Sequence, residues 1–508
     1  MSDRLSAFGG IGLNEALLES LLREHATVRV PRLEMLWNYY RNALRPLGDE
    51  AGGTTSRTRS GSWYRQGQEV GLPGRIAGAS ATSLDDRARG GRDVVVENDI
   101  AWRIHSMVDF LFAKPPRFVS TAPDDSTRRA VEAVVQALWD RSGGSALLAD
   151  MAMLGHIFGH VDLLVRCEGR RRRQGAGAME PEAGLERALS IVRSEDCARV
   201  ELIEPRRGVA LLDPGDYRRL RGYVIRVRRE ENRAQSPAMW RRLLGREESA
   251  TRVRSTHTEI FSATHHQRYE DDRLVHQEVL DWTEGRVPVV HVQNVSQPFQ
   301  YEGLGEVEPL IPLQDELNTR LSDRAYRLAM QSFKMYLMRG FESPEALTVG
   351  PGVLLTSTDP TASVQEFGGD SGSPGEEAHF EAIRNAMDKV SGVPPLATGV
   401  VQGKVGNLSS AMALRVTLMG LISRTARKRE AYGRGLIEAT RLMLSALDHR
   451  GVFRTDPVDR GLTLEWPDPL PVDEAERVRA AEGKIRLGVE AGRVLEELGY
   501  PDRGTGGA

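Results

Sequence analysis

Three things are scarce in this chain. It has two cysteines, Cys167 and Cys197, among 508 residues, too few for a disulfide framework and suited to a reducing cytoplasm. It has no apolar run approaching the ~20 residues of a membrane span, and its N-terminus lacks a signal-peptide core. It has almost no net charge, formally -3, so the molecule as a whole does not hold nucleic acid by bulk electrostatics. Together these absences predict a soluble chain of cytoplasmic origin with no membrane partner. What is present is 40% hydrophobic and 27% charged residues, enough for a sizeable core in about three domains or one elongated body.

The rest of the chain is organised around residues 390–447. Its first part holds two prolines and four glycines within some eighteen residues, which break both helix and sheet pairing. Asn407, Ser409 or Ser410 then offers a helix cap. From there to Leu447 the composition is mostly strong helix formers, and the spacing predicts one helix roughly 58 Å long. A loop feeding so long a helix is not an ordinary domain core.

Upstream, residues 14–25 carry leucines at helical spacing, and Pro31 starts a second short helix through Trp37, Tyr39 and Tyr40. Residues 46–92, rich in Gly, Ser, Thr and Arg, read as long loops or an arm that orders on assembly. Helices are expected at 99–112, 126–139 and 146–158, followed by a strand at 161–167 and a polar surface loop at 168–184. Residues 189–294 read as a β-rich layer with strands at 200–203, 223–228, 258–262, 273–281 and 288–293, interrupted by a charged segment at 229–250. A second long helix at 310–331 carries one apolar stripe, Leu310, Leu313, Leu317, Leu321, Ala325 and Leu328. Two or three strands around Met335, Leu337, Val353 and Leu355 follow. The next helix starts with Ser373 as N-cap, Pro374 at the first position and Glu376 completing a capping box. The tail, 472–500, is helical and broken near Gly488 and Gly492.

Four constellations invite a catalytic or metal reading and fail. Gly399 to Val405 is one residue short of a phosphate-binding loop, and Val405 stands where a hydroxyl must hold magnesium. Gly369-Asp370-Ser371-Gly372-Ser373 resembles a protease serine region, but no aspartate is placed to orient His265 or His266. His156 and His160, with Asp162 after them, lack the glutamate a zincin needs, so they read as packing or interface histidines. Cys167 and Cys197 have no partners for a metal. The cluster Arg424, Arg427, Lys428 and Arg429 stays open between DNA phosphate, acidic groups of a neighbouring copy, and solvent. No catalytic residue, metal or cofactor is expected.

The order of elements, read with the residues, resembles the portal proteins of tailed bacteriophages, of the siphophage and podophage type. The carriers are EPLIPLQDELNTRLSDRAYRLAMQSFKMYLM, similar to that family's first stem helix leading into the clip; EAHFEAIRNAMDKVSGVPPLATG, similar to the second stem helix and tunnel loop; and Ser410-Ala411-Met412-Ala413-Leu414, similar to the start of the long wing helix. NDIAWRIHSMVDFLFAKPPRF and KIRLGVEAGRVLEELGY add matching segments upstream and downstream. The resemblance spans about residues 98–500, and 46–92 and 168–188 have no counterpart in it.

The resemblance implies a mixed α+β portal fold, mainly helical: a wing at 1–305, stem helices at 306–331 and 376–391, a small α/β clip at 332–375, a tunnel loop at 392–408, a long wing helix at 409–456 and a helical crown at 457–508. It implies a homo-oligomeric ring of about twelve subunits at one capsid vertex, assembled in the host bacterial cytoplasm and carried in the virion. Double-stranded DNA passes through that ring without sequence recognition. A large terminase subunit, a head-completion adaptor, and the major capsid and scaffolding proteins are the implied partners. Pro395, Gly399, Val400, Val401, Gln402, Gly403 and Lys404 would form the tunnel loop. Lys404 would touch phosphate without reading bases. Glu316, Asp323, Glu381 and Asp388 would line the channel. Lys334, Tyr336, Arg339 and Glu342 would dock terminase or adaptor. A protein-only capsid scaffold or adaptor, or a DNA-processing enzyme, is the alternative.

Overall fold

A computed structural model of the chain describes residues 5–46, 64–77, 94–167, 181–194, 197–234, 250–332, 335–339, 360–367, 374–398, 411–470 and 474–498. The first helix, α1 (Glu15–Glu24), is capped by the Asn14 side chain, which accepts from Leu17 N at 2.8 Å. It does not stop before Pro31: a π-turn, His25–Arg29, carries it into α2 (Val30–Arg41). The wider turn accommodates a proline that has no N–H to donate, so the two expected helices are one rod.

Three helices pack around the core: α3 (Asp99–Phe112), α4 (Asp125–Ser142) and α5 (Gly144–Phe158). Strand β1 (Arg117–Ser120) lies between the first two. Then β2 (His160–Arg166) forms the centre of a three-stranded antiparallel sheet between β3 (Arg199–Ile203) and a later strand. Helix α6 (Pro181–Ser194) connects β2 to β3, so the expected surface loop ends in a helix and Leu189 is helical. The expected β-rich layer is larger than its sequence signals. Its meander comprises β4 (Gly208–Asp213), β5 (Asp216–Ala234), β6 (Ala250–Ser262), β7 (His265–Glu270) and β8 (Arg273–Val279), paired in the order β8-β7-β6-β5-β4. Two of these strands, β4 and β7, were not anticipated, and β5 and β6 extend into the charged segment. Strand β9 (Val289–Gln293) then returns beside β2.

Helix α7 (Ile311–Ser332) does more than present an apolar stripe. Gln314, Asn318 and Ser322, four residues apart and fully buried, form a polar ladder that satisfies the extended segment before α3. Asn318 Oδ1 accepts from Glu97 N at 3.1 Å, Ser322 Oγ from Val95 N at 3.0 Å, and the Gln314 amide donates to Glu97 O. Asn318 also donates to Gln68 at 2.9 Å. Gln68 sits in a short 3-10 turn, Gly67–Gly71, and itself donates to Tyr39 O at 2.6 Å. Part of the expected arm is therefore built into the fold, because buried amides need partners.

Strands β10 (Met335–Arg339) and β11 (Ser363–Phe367) pair antiparallel; Val353 and Leu355 lie outside the described residues. Helix α8 (Pro374–Ser391) begins at the expected proline, with Ser373 outside the described residues. The long helix is interrupted once: Ala411–Thr417 is followed by a turn at Leu418 (φ -92°, ψ 5°) and then α9 (Met419–Arg450). Helix α9 lies across β9 and β2, so closely that a Cβ on Gly435 would meet Val292 Cγ2 at 2.3 Å. Its buried face, with Tyr432, Leu436, Met443 and Leu447, joins the same core as Ile104, Leu138 and Val161. Strand β12 (Leu462–Glu465) pairs with β1, and the tail forms α10 (Glu474–Arg486) and α11 (Ala491–Glu497). The tail breaks at Gly488 (φ 91°), while Gly492 lies within α11. Among the described residues no helix is long and apolar enough to cross a membrane.

On the central strand of the three-stranded sheet Asp162 is buried with its carboxylate fully partnered. Oδ1 accepts from His291 Nδ1 at 2.7 Å and Tyr301 OH at 2.9 Å, and Oδ2 from Tyr223 OH at 2.6 Å. Burial alone would raise its pKa, but His291 and Tyr223 override this and hold it at about 2. His160, beside it, is the reverse case: burial pushes its pKa down to about 4. His156, whose Nδ1 faces Ala152 O at 2.6 Å, is lowered by burial as well. Both are packing histidines, as their sequence context suggested. Between the ordinary histidine value of 6.5 and about 4, the unfolded chain binds a proton that native His160 refuses. The stability contributed is therefore complete above pH 6.5 and lost as pH falls toward 4. We expect the melting temperature of the full chain to drop across that window, and His160→Gln to remove on the order of 3 kcal/mol of the pH dependence. A wild-type profile flat from pH 6.5 to 4 would contradict this.

Candidate functional site

Four of the residues singled out by sequence, Asp388, Pro395, Arg424 and Lys428, lie at or beside the end of α8. A helix must end there: Gly392 adopts a left-handed conformation (φ 71°), and its N–H reaches Asp388 O at 2.7 Å. A left-handed residue after the last turn is the common helix stop, and glycine takes it without steric cost. Two cationic side chains from other helices then hold this terminus.

The first is Arg103 of α3, 2% exposed. Its Nη1 donates to Asp388 Oδ1 at 2.6 Å, Val393 O at 2.9 Å and Ser391 Oγ at 3.3 Å, and its Nη2 to Asp99 Oδ2 at 3.3 Å. The guanidinium also lies 4.8 Å from the centre of the Trp102 ring. The planar, permanently charged fork suits several acceptors at once. Asp388 gains Arg103 as partner, yet burial dominates and raises its pKa.

The second is Arg424 of α9. Its Nη1 donates to Ser391 O and its Nη2 to Val390 O, both at 2.7 Å. These are carbonyls left without intrahelical partners at the end of α8, where the helix dipole also favours a cation. Arg424 shares Glu306 with Lys428: Glu306 Oε2 is 3.2 Å from Arg424 and Oε1 is 2.6 Å from Lys428 Nζ. Glu306 and Lys428 are both buried. Burial lowers the lysine's pKa, partly countered by Glu306. Val393, just beyond, is buried against Met107 and Leu421. The chain then makes a 3-10 turn, Pro395–Thr398.

Of the expected channel-lining acids, Glu381 is exposed on α8. Glu316 is half-buried and paired with Arg320 at 2.7 Å and His379 at 3.2 Å. Asp323 stands 3.8 Å from Arg320 on the same face of α7. Asp388 is partly buried, and its carboxylate accepts from Arg103 at 2.6 Å. The basic cluster is divided in the same way. Arg424 and Lys428 pair with Glu306 inside their own chain, Arg429 lies over the Trp466 ring at 5.0 Å, and Arg427 is the exposed member of the four. Helices α7 and α8 are themselves tied by Arg324–Glu377 at 3.0 Å and by Arg327–Glu376. Pro395 lies in the 3-10 turn; Gly399, Val400, Val401, Gln402, Gly403 and Lys404 lie outside the described residues. Of the expected docking residues, Arg339 is exposed on β10 and Tyr336 lies in the same strand; Lys334 and Glu342 are outside the described residues.

Sequence reasoning passed over Arg103, Glu306 and Gly392. A signal for Arg103 existed: it sits between Ile100 and Met107 on the buried face of α3, where a charge needs a partner. Among the described residues the joint assembles no metal-ligand cluster. Its chemistry is mechanical: it fixes a helix end and the first residues of a loop.

The sequence matches the family described as phage portal protein, SPP1 Gp6-like, over residues 20–487. No curated protein matches it. Among solved structures, a chain from the virion of a native gene transfer agent particle is 13% identical, with 79% of this chain and 90% of that chain covered and a TM-score of 0.42. A chain from the neck of an empty particle of that kind, computed with C6 symmetry, is 13% identical, with 80% and 90% covered and a TM-score of 0.43. One from the neck of a native particle, computed with C12 symmetry, is 11% identical, with 79% and 90% covered and a TM-score of 0.41.

Because Arg103 is buried among fixed acceptors, replacing it strands Asp388 and the Val393 carbonyl. Arg103→Leu is expected to cost about 3–5 kcal/mol in denaturant unfolding, whereas Arg427→Ala stays within about 0.5 kcal/mol. Equal, small effects would show that the joint does not organise this region.

Proposed function

The chain belongs to the phage portal protein family, SPP1 Gp6-like, and from that premise we propose that it forms a ring of about twelve copies at one capsid vertex. Double-stranded DNA is packaged through the ring by the terminase motor and later ejected through it, and the ring is the platform for joining head to tail. The observation that carries this reading is the family match across residues 20–487, which takes in every element of the joint. The family is structural, and the function needs no catalytic group from this chain.

In this reading residues 1–305 form the wing, 306–331 and 376–391 the stem, 332–375 the clip, 392–408 the tunnel loop, 409–456 the long wing helix and 457–508 the crown. The stem exposes Glu381 and a partly neutralised row, Glu316 and Asp323 with Arg320, towards the bore. A nearly balanced wall suits passage, since a strongly basic bore would bind DNA by releasing its counterions and hold it. Residues 399–404 meet the DNA backbone, with Lys404 as the single cation among them. Lys334, Tyr336, Arg339 and Glu342 dock terminase during packaging and an adaptor afterwards. Major capsid and scaffolding proteins contact the wing. The assembled ring resides in the virion after forming in the host cytoplasm.

Negative-stain images of the purified protein are expected to show pored rings of about twelve-fold symmetry; their absence would sink the ring. In a packaging assay, deletion of residues 395–403 is expected to leave assembly intact and abolish full-length packaging. Unimpaired packaging would remove the loop from the DNA path.

A further inference from the structure

Away from the joint, the sheet edge β7–β8 brings together three metal-ligating side chains. Directly opposed residues of an antiparallel pair share a face, as do residues two apart in one strand. Glu278 is opposite His266, and His276 lies two residues before Glu278. One ligand atom from each of His266, His276 and Glu278 falls within 4.8 Å of the others. Sequence spacing hid this group, because His266 and His276 stand ten positions apart and meet only through the strand pairing.

We propose that His266, His276 and Glu278 form a binding site for one divalent transition-metal ion of the zinc class. Two imidazoles and a carboxylate are the donor set such an ion takes, with a fourth position left for water. His266 supplies the fixed ligand. It is 9% exposed and stacks on Phe261 with ring centres 4.3 Å apart and planes 5° from parallel. Its Nε2 is buried, makes no hydrogen bond that meets distance and angle limits among the described residues, and faces Glu259 Oε2 at 3.3 Å. Glu259 is in turn held by Arg166 at 2.9 Å, so it borders the site as an orienting carboxylate. His276 and Glu278 are the adjustable ligands: both are partly exposed, and His276 Nε2 is 3.5 Å from Glu278 Oε2. Tetrahedral coordination at zinc–ligand lengths needs donor atoms about 3.4 Å apart, a spacing that small side-chain rotations of these two reach. The exposed Arg268, opposite His276, is the one cation on this face of β7, and its long side chain is free to swing outward. A bound ion would pin β8, the edge strand, to β7 beside the irregular register between Leu274 and His276.

The test uses the full-length protein stripped with EDTA and titrated calorimetrically with zinc chloride. The expected result is one zinc per chain, with His276→Ala and Glu278→Gln each weakening binding at least about tenfold. Cobalt(II) added in place of zinc should give visible d–d bands without thiolate charge transfer. Saturable binding absent from wild type, or unchanged in both variants, would overturn the site. A thiolate band would also overturn it, by assigning the ion to Cys167 or Cys197. His276 is exposed, so both variants should keep the circular dichroism and melting temperature of the metal-free protein. Weaker binding with those unchanged cannot come from unfolding.

Discussion

The structure around the loop depends on one requirement: the buried guanidinium of Arg103 must be paired. Leaving a charge in the interior uncompensated costs several kcal/mol, so wherever α3 packs, Asp388, Ser391 and the Val393 carbonyl must gather around it. Arg424 adds a second clamp on the carbonyls of Val390 and Ser391, and Glu306 balances it together with Lys428. The end of α8 is thus anchored to α3 and α9 by directed, charge-assisted contacts, while Gly392 turns the backbone out of the helix. On the proposed reading, a loop that changes position during function needs such a fixed end. Otherwise its movement would be transmitted into the helices instead of being confined to the loop.

Much of this was legible in the sequence. Helices with a clean 3.6-residue apolar period appear where expected, and the cluster of Pro and Gly marks the end of α8. The Pro374 start signal also holds. What escaped was polar. Gln314, Asn318 and Ser322 repeat every four residues along α7, and a polar repeat on an amphipathic helix reads as its wet side. Here it is a dry ladder that receives the backbone of residues 95–97, a contact between segments more than 200 positions apart. Arg103 escaped in the same way, since a lone charge within an apolar face announces a partner without naming it. Lys428 and Arg424 looked available to an outside anion because their acid, Glu306, lies more than a hundred residues upstream. Strands β4 and β7 were lost to short, mixed patterns that only strand pairing completes, and the turn at Leu418 has no proline or glycine of its own to signal it.

The distribution of charge follows from the same pairing. Acids on α7 and α8 meet arginines within their own helix or across the pair: Glu316 with Arg320, Glu377 with Arg324 and Glu376 with Arg327. The pairing leaves the two helices with little net charge, while their buried apolar faces, with Leu317, Phe380 and Ile383, supply most of the packing. On the proposed reading, that combination gives a stiff wall which neither grips nor strongly repels a polyanion, and it concentrates the contact with DNA in the loop that the joint anchors.

The most direct test of an anchored loop in a DNA channel is a cryo-electron microscopy map of the assembled ring with DNA in its bore. The predicted result is density for residues 399–404 reaching the axis, with Arg103 bridging Asp388 and Val393 in every subunit. A ring in which those residues point away from the bore, or in which the Arg103 bridge is broken while the loop contacts DNA, would contradict it.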